Sequence, residues 1–94
     1  MNERITEAWL SAEDLATAVG ITVTRLERLV ILGVVEPSAP DRSRFAAESA
    51  ARLRRVIRLH GDLGVRFADA AIILDLLDRV ESLEAELARL RSRV

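Results

Sequence analysis

With one histidine, no cysteine and only four scattered glycines, the chain has few groups that could catalyse a reaction. His60 is the only imidazole that could serve as a base or metal ligand. It shares a helical face with Ala50, Leu53 and Ile57 and has no second ligand one turn away, so it reads as a packing or surface residue. No pair of carboxylates falls in an evidently apolar setting, and no glycine-rich loop is spaced to cradle a phosphate. What remains is charge. All fourteen basic residues are arginine, and Arg52, Arg54, Arg55 and Arg58 cluster on one segment. They can grip phosphates or an acidic partner, or form a solvated face balanced by Glu48 and Asp62; the pattern alone leaves both open. The expectation is a binding module: not an enzyme, with no cofactor, no metal and no small-molecule substrate.

The 94 residues have room for a single domain, 1–94, with a modest core. A composition that is 50% hydrophobic, 31% charged and 3% aromatic describes a chain that folds around aliphatic side chains. The formal net charge of -1 gives weak overall attraction to nucleic acid, whose nonspecific affinity rests on neutralised phosphates. Without cysteine there is no disulfide framework. No apolar run approaches the roughly 18 residues that span a bilayer, and Met1-Asn2-Glu3-Arg4-Ile5 has no secretory core, so a cytoplasmic location and no membrane partner are expected.

The elements that must position these groups are announced by caps. Ser11, with Asp14 three residues on, starts a first helix stapled by Leu10 and Leu15 and stopped by Gly20. Thr22 starts a second, stapled by Ile21 and Leu26 and ending before Gly33. Two short helices about one glycine form a helix-turn-helix. Val34-Val35-Glu36-Pro37 and Arg44-Phe45, separated by a polar, proline-containing loop at 38–43, read as two strands of a small wing. A third helix is expected over about 47–60, ending at Gly61 or Gly64. Trp9 and Phe67 each precede a helix start and read as core or wing anchors.

The last helix, from about Phe67 onward, carries Ile73, Leu76, Val80, Leu83, Leu87, Leu90 and Val94 at alternating spacings of three and four, bordered by Arg79, Glu84, Glu86 and Arg91. This is a heptad seam, longer than a small head can cover, and it predicts a coiled-coil homodimer. Leu74 and Leu77 face a second side and are expected to pack on the head. The chain therefore divides into a head with its third helix at about 9–66 and a long helix at about 67–94.

This order of parts resembles the MerR superfamily: a mainly α fold with a winged helix-turn-helix head, a small β wing and a C-terminal dimerisation helix. The resemblance rests on Leu15 through Gly20 with Ile21-Thr22-Val23, on Leu32-Gly33-Val34-Val35-Glu36-Pro37, and on Val56-Ile57-Arg58-Leu59 followed by the glycine break and Phe67. DNA-binding members usually carry an arginine and tyrosine pair in the second helix, where this chain has Glu27, Arg28, Leu29, Val30 and Ile31, and their wing is longer. In that alternative reading, a heat-shock-related transcriptional regulator, Thr24, Arg25, Arg28, Arg42 and Arg44 are the groups that would meet DNA. The closer resemblance is to the bacterial chaperone-modulator CbpM family, carried by Ile57-Arg58-Leu59-His60 and by Ala71 through Val80 with its Leu-Leu-Asp-Arg core. It implies a protein that binds the J-domain of a DnaJ-like, CbpA-type co-chaperone and inhibits its stimulation of DnaK. Because the J-domain surface that meets Hsp70 is basic, the resemblance points to Asp62, Asp69, Asp75, Asp78 and Glu81 as the contacting acids.

Overall fold

Ser11 turns the chain from strand into helix. Its backbone is extended and its hydroxyl accepts from the Asp14 amide at 3.0 Å, so one residue closes strand β1 (Trp9–Ser11) and caps helix α1 (Ala12–Val19). In the computed structural model, which describes residues 9–38 and 42–93, there follow α2 (Val23–Ile31), β2 (Arg44–Ala46), α3 (Glu48–Leu63) and α4 (Phe67–Ser92). Thr22 repeats the device at α2, its hydroxyl accepting from the Arg25 amide at 3.1 Å.

Both helices of the helix-turn-helix stop in the same way. The Gly20 amide donates to Thr17 and the Ile21 amide to Ala16; the Gly33 amide donates to Val30 and the Val34 amide to Leu29. Each pair of bonds needs a left-handed residue, supplied by Gly20 at φ 80° and Gly33 at φ 77°.

The second closure corrects the expected wing. Val34 and Val35 form no strand, because both side chains are buried in the core and consecutive residues of a strand point to opposite faces. The strand that pairs with Arg44–Ala46 is Trp9–Ser11, antiparallel, with Leu10 opposite Phe45. Across the wing loop the Ser38 amide donates to the Arg44 carbonyl at 2.8 Å. Residues 39–41 of that loop, the N-terminal segment read for a signal peptide, and Val94 of the seam lie outside the described residues.

The core gathers Leu15 and Ala16 of α1, Leu26 and Leu29 of α2, Val34 and Val35 just after it, Phe45 of β2, Ala50, Leu53 and Val56 of α3, and Ala70, Ala71 and Leu74 of α4. Of the two stops that the sequence offered for the third helix, the chain uses the later: the helix runs past Gly61 and ends at Gly64 in the left-handed region. Arg54 extends its guanidinium to the Ala18 carbonyl at 3.1 Å and so ties α3 to the free end of α1.

Only the first two turns of α4 belong to this core. Leu74 is 1% exposed, whereas every residue from Asp75 through Arg93 is exposed. Leu77, expected on the head alongside Leu74, is 44% exposed. The Cα radius of gyration, 15.9 Å, exceeds the roughly 12 Å of a compact chain of this length because α4 projects as an arm.

Candidate partner-binding surfaces

Three surfaces present groups able to recognise another molecule, and the residues singled out in the sequence are divided among them. The first is the arm. Leu76, Val80, Leu83, Leu87 and Leu90 are each roughly half exposed or more, and their alternating spacing holds them in one stripe down α4. Ile73, the first member of the expected seam, is half-buried where the helix leaves the head.

The second surface is the ribbon between α3 and α4. Asp75 accepts from Arg52 at 3.0 Å, and Asp78 lies 3.5 Å from Arg55. The arginine cluster is therefore largely occupied, by acids of α4 and, in the case of Arg54, by the Ala18 carbonyl; Glu48 and Asp62, named in one of the two readings, form no ion pair with it among the described residues. Asp69 holds Arg66 across one turn at 3.1 Å, beside the first residues of α4, where a carboxylate also suits the helix dipole. Asp62 and Glu81 are exposed. The acids read from the sequence thus fall into three ion-paired and two exposed groups, and the pairs themselves remain wet: the side chains of Asp75 and Asp78 are 66% and 49% exposed.

The third surface was not legible in the sequence. An open groove of about 1370 Å³ lies between α2 and the junction of α3 with α4. Its lining includes Ile21, Leu29, Leu32 and Ile57 with His60 and Phe67, and around these stand Arg25, Arg28 and Arg66. His60 and Phe67 stack with centroids 3.9 Å apart and planes 15° from parallel, while the His60 Nδ1–H donates to the Val65 carbonyl at 2.6 Å. His60 is accordingly a half-buried packing residue that holds the turn before α4. The Arg25 guanidinium sits over the other partner of that stack, 5.0 Å from the Phe67 centroid. Phe67 thus does more than anchor a helix start. The signal that could have found it is the pairing of an aromatic residue at a helix start with a histidine one turn before a glycine stop.

Thr24, Arg25 and Arg28 are exposed along α2, and Arg42 and Arg44 are exposed at the wing. No group of three or more metal-ligating residues occurs among the described residues, and among them no helix is long and apolar enough to cross a membrane.

Two capped helices about a glycine turn, a paired strand and a projecting C-terminal helix define a MerR-type helix-turn-helix protein, and the model of the MerR HTH family regulatory proteins matches residues 10–92. Chaperone modulatory protein CbpM of Pseudomonas putida (strain W619) is 30% identical over 87 residues, covering 90% of this chain and 86% of that protein. The corresponding protein of Escherichia coli O1:K1 / APEC is 32% identical over 77 residues, 80% of this chain and 76% of its own length. The chain belongs to the CbpM family of chaperone modulatory proteins within the MerR-type fold. Both likenesses set it among regulatory proteins and support a chaperone-modulating role.

Proposed function

We propose that the chain binds the J-domain of a DnaJ-like co-chaperone of the CbpA type and, by covering it, inhibits the stimulation of DnaK. The observation that carries this reading is the likeness to CbpM proteins across nine-tenths of the chain. On this reading Asp62, Asp69, Asp75, Asp78 and Glu81 meet the basic surface that the J-domain would otherwise offer to DnaK. A carboxylate accepts several hydrogen bonds at once, so an exposed Asp75 or Asp78 already bonded to an arginine keeps acceptor capacity for a partner's lysine or arginine. The acting species is a homodimer joined through Ile73, Leu76, Val80, Leu83, Leu87 and Leu90, and it works in the cytoplasm alongside its co-chaperone.

Purified chain added to DnaK and a CbpA-type co-chaperone should abolish the stimulated ATPase at a stoichiometric ratio, leaving the basal DnaK rate unchanged. Unaltered stimulation at a large molar excess would refute the reading.

A second reading is favoured by a separate observation: Thr24, Arg25 and Arg28 stand exposed on the second helix of a helix-turn-helix, with Arg42 and Arg44 exposed at the wing. A DNA-binding regulator with these contacts would hold duplex DNA with an affinity that drops steeply as salt rises. Absence of duplex binding at low ionic strength removes it.

A further inference from the structure

The groove beside α2 differs from the ribbon between α3 and α4, where Asp75 and Asp78 are matched by Arg52 and Arg55. Its lining contains three arginines and a histidine and no carboxylate. One of the three, Arg66, is engaged by Asp69 from outside the groove. Arg25 and Arg28, three residues apart on α2, share one helical face and have no carboxylate partner among the described residues. We infer that this groove is a docking site for an acidic polypeptide segment bearing an apolar anchor, a contact separate from the acidic surface assigned to the J-domain.

Three features argue for that occupant. The guanidinium of Arg25 lies over the Phe67 ring, 5.0 Å from its centroid, and has no carboxylate partner among the described residues. A ring-stacked arginine loses less freedom on binding than one that waves in solvent, and its fork matches two carboxylate oxygens. The floor is apolar, formed by Leu29, Leu32, Ile57 and Phe67 in a concavity large enough for aliphatic or aromatic side chains. Finally, the rim continues onto bare hydrocarbon, since Ile31 is 84% exposed and Leu32 is 54% exposed at the end of α2. Acid to the arginines and hydrocarbon to the floor together describe one face of an acidic amphipathic segment.

Duplex DNA fits this geometry less well. A reading helix must project its N-terminal side chains outward to base edges, whereas the Arg25 guanidinium lies over the Phe67 ring at the groove. The exposed Ile31 and Leu32 that follow would face phosphates without gain.

The test uses the full chain and a short fluorescein-labelled amphipathic peptide of glutamate and leucine, followed by fluorescence anisotropy at low and physiological salt. A version with every glutamate replaced by glutamine and a labelled duplex DNA serve as competing probes. The glutamate peptide should bind, should weaken with salt, and should weaken at least about tenfold in Arg25→Glu/Arg28→Glu, the loss of two charge-assisted contacts. Arg89→Glu on the arm should leave it unchanged. Phe67→Leu, which keeps bulk but removes the ring under Arg25, should weaken the peptide while circular dichroism reports an intact helix content. Failure of the glutamate peptide to bind at low salt overturns the proposal. So does equal binding of the glutamine version, or preferential binding of duplex DNA through the same arginines. Because none of these probes is a J-domain, a negative result here leaves the co-chaperone assay to decide its own question.

Discussion

Arg52 of α3 and Asp75 of α4 meet at 3.0 Å on the surface of the molecule, and one turn further Arg55 and Asp78 repeat the contact at 3.5 Å. The two pairs splice the root of the projecting helix to the head, and they also engage two of the carboxylates assigned to the partner. Exposed ion pairs of this kind contribute about 0.2–1 kcal/mol each. The double variant Arg52→Ala/Arg55→Ala should therefore lose about 0.4–2 kcal/mol, a fall of roughly 2–16 °C in melting temperature. If Asp75 and Asp78 meet a basic J-domain, removing their internal competitors should strengthen that complex in titration calorimetry, and Asp75→Asn/Asp78→Asn should weaken it. Equal affinity in all three proteins would take these two residues out of the contact.

The stripe on α4 leads to a prediction about assembly. Leu83 is 47% exposed and lies on the arm, away from the buried head. Leu83→Glu would set an uncompensated charge in the paired seam, at a cost the interface cannot absorb. Sedimentation equilibrium should give a dimer for the parent and a monomer for the variant. The near-ultraviolet signal of Trp9, half-buried in β1, should be retained because the head does not depend on that end of the helix. A dimer that survives the change would place the interface elsewhere.

Leu74 and Leu77 offer a matched pair. Truncating Leu74, 1% exposed, removes a side chain that joins α4 to the core and should destabilise by about 2–5 kcal/mol. Truncating Leu77, 44% exposed, should change the stability of the isolated head by well under half of that. Urea unfolding of both variants in the Leu83→Glu background separates packing on the head from packing in the seam. Equal losses at both positions would contradict the division of α4 into a buried root and an exposed arm.

Gly20 links the two helices of the head at φ 80°, with nothing within 4 Å of where a side chain would begin. The penalty for Gly20→Ala is thus torsional, on the order of 1–2 kcal/mol, with no contribution from collision. For a domain of this size that lowers the melting temperature by roughly 4–16 °C. A thermal scan with no shift would mean that the turn can relax out of the left-handed region.

Much of the local architecture was legible because it is written in neighbouring residues. Ser11 with Asp14, Thr22 with Arg25, and the stops at Gly20, Gly33 and Gly64 all act within five positions of the chain. The wing was misread for the opposite reason. Val34-Val35 has the composition of a strand, but the bonds that close α2 turn both valines inward, and the strand actually paired with Phe45 lies more than thirty residues upstream at Leu10. Separation along the chain also hid the partners of Arg52 and Arg55, for which the sequence left a phosphate, an acidic partner and a solvated face equally open.

The sequence by itself determined where the first two helices begin and end, the aliphatic character of the core and the unbroken spacing of leucines along the last helix. Each of these is set by a side chain acting on backbone one turn away or by periodicity within one element. Only the tertiary structure decided which strand completes the sheet, where α4 leaves the core, and that Arg25, His60 and Phe67 converge on one groove. Those outcomes depend on residues far apart in the chain meeting in space, and no local pattern encodes the distance between them.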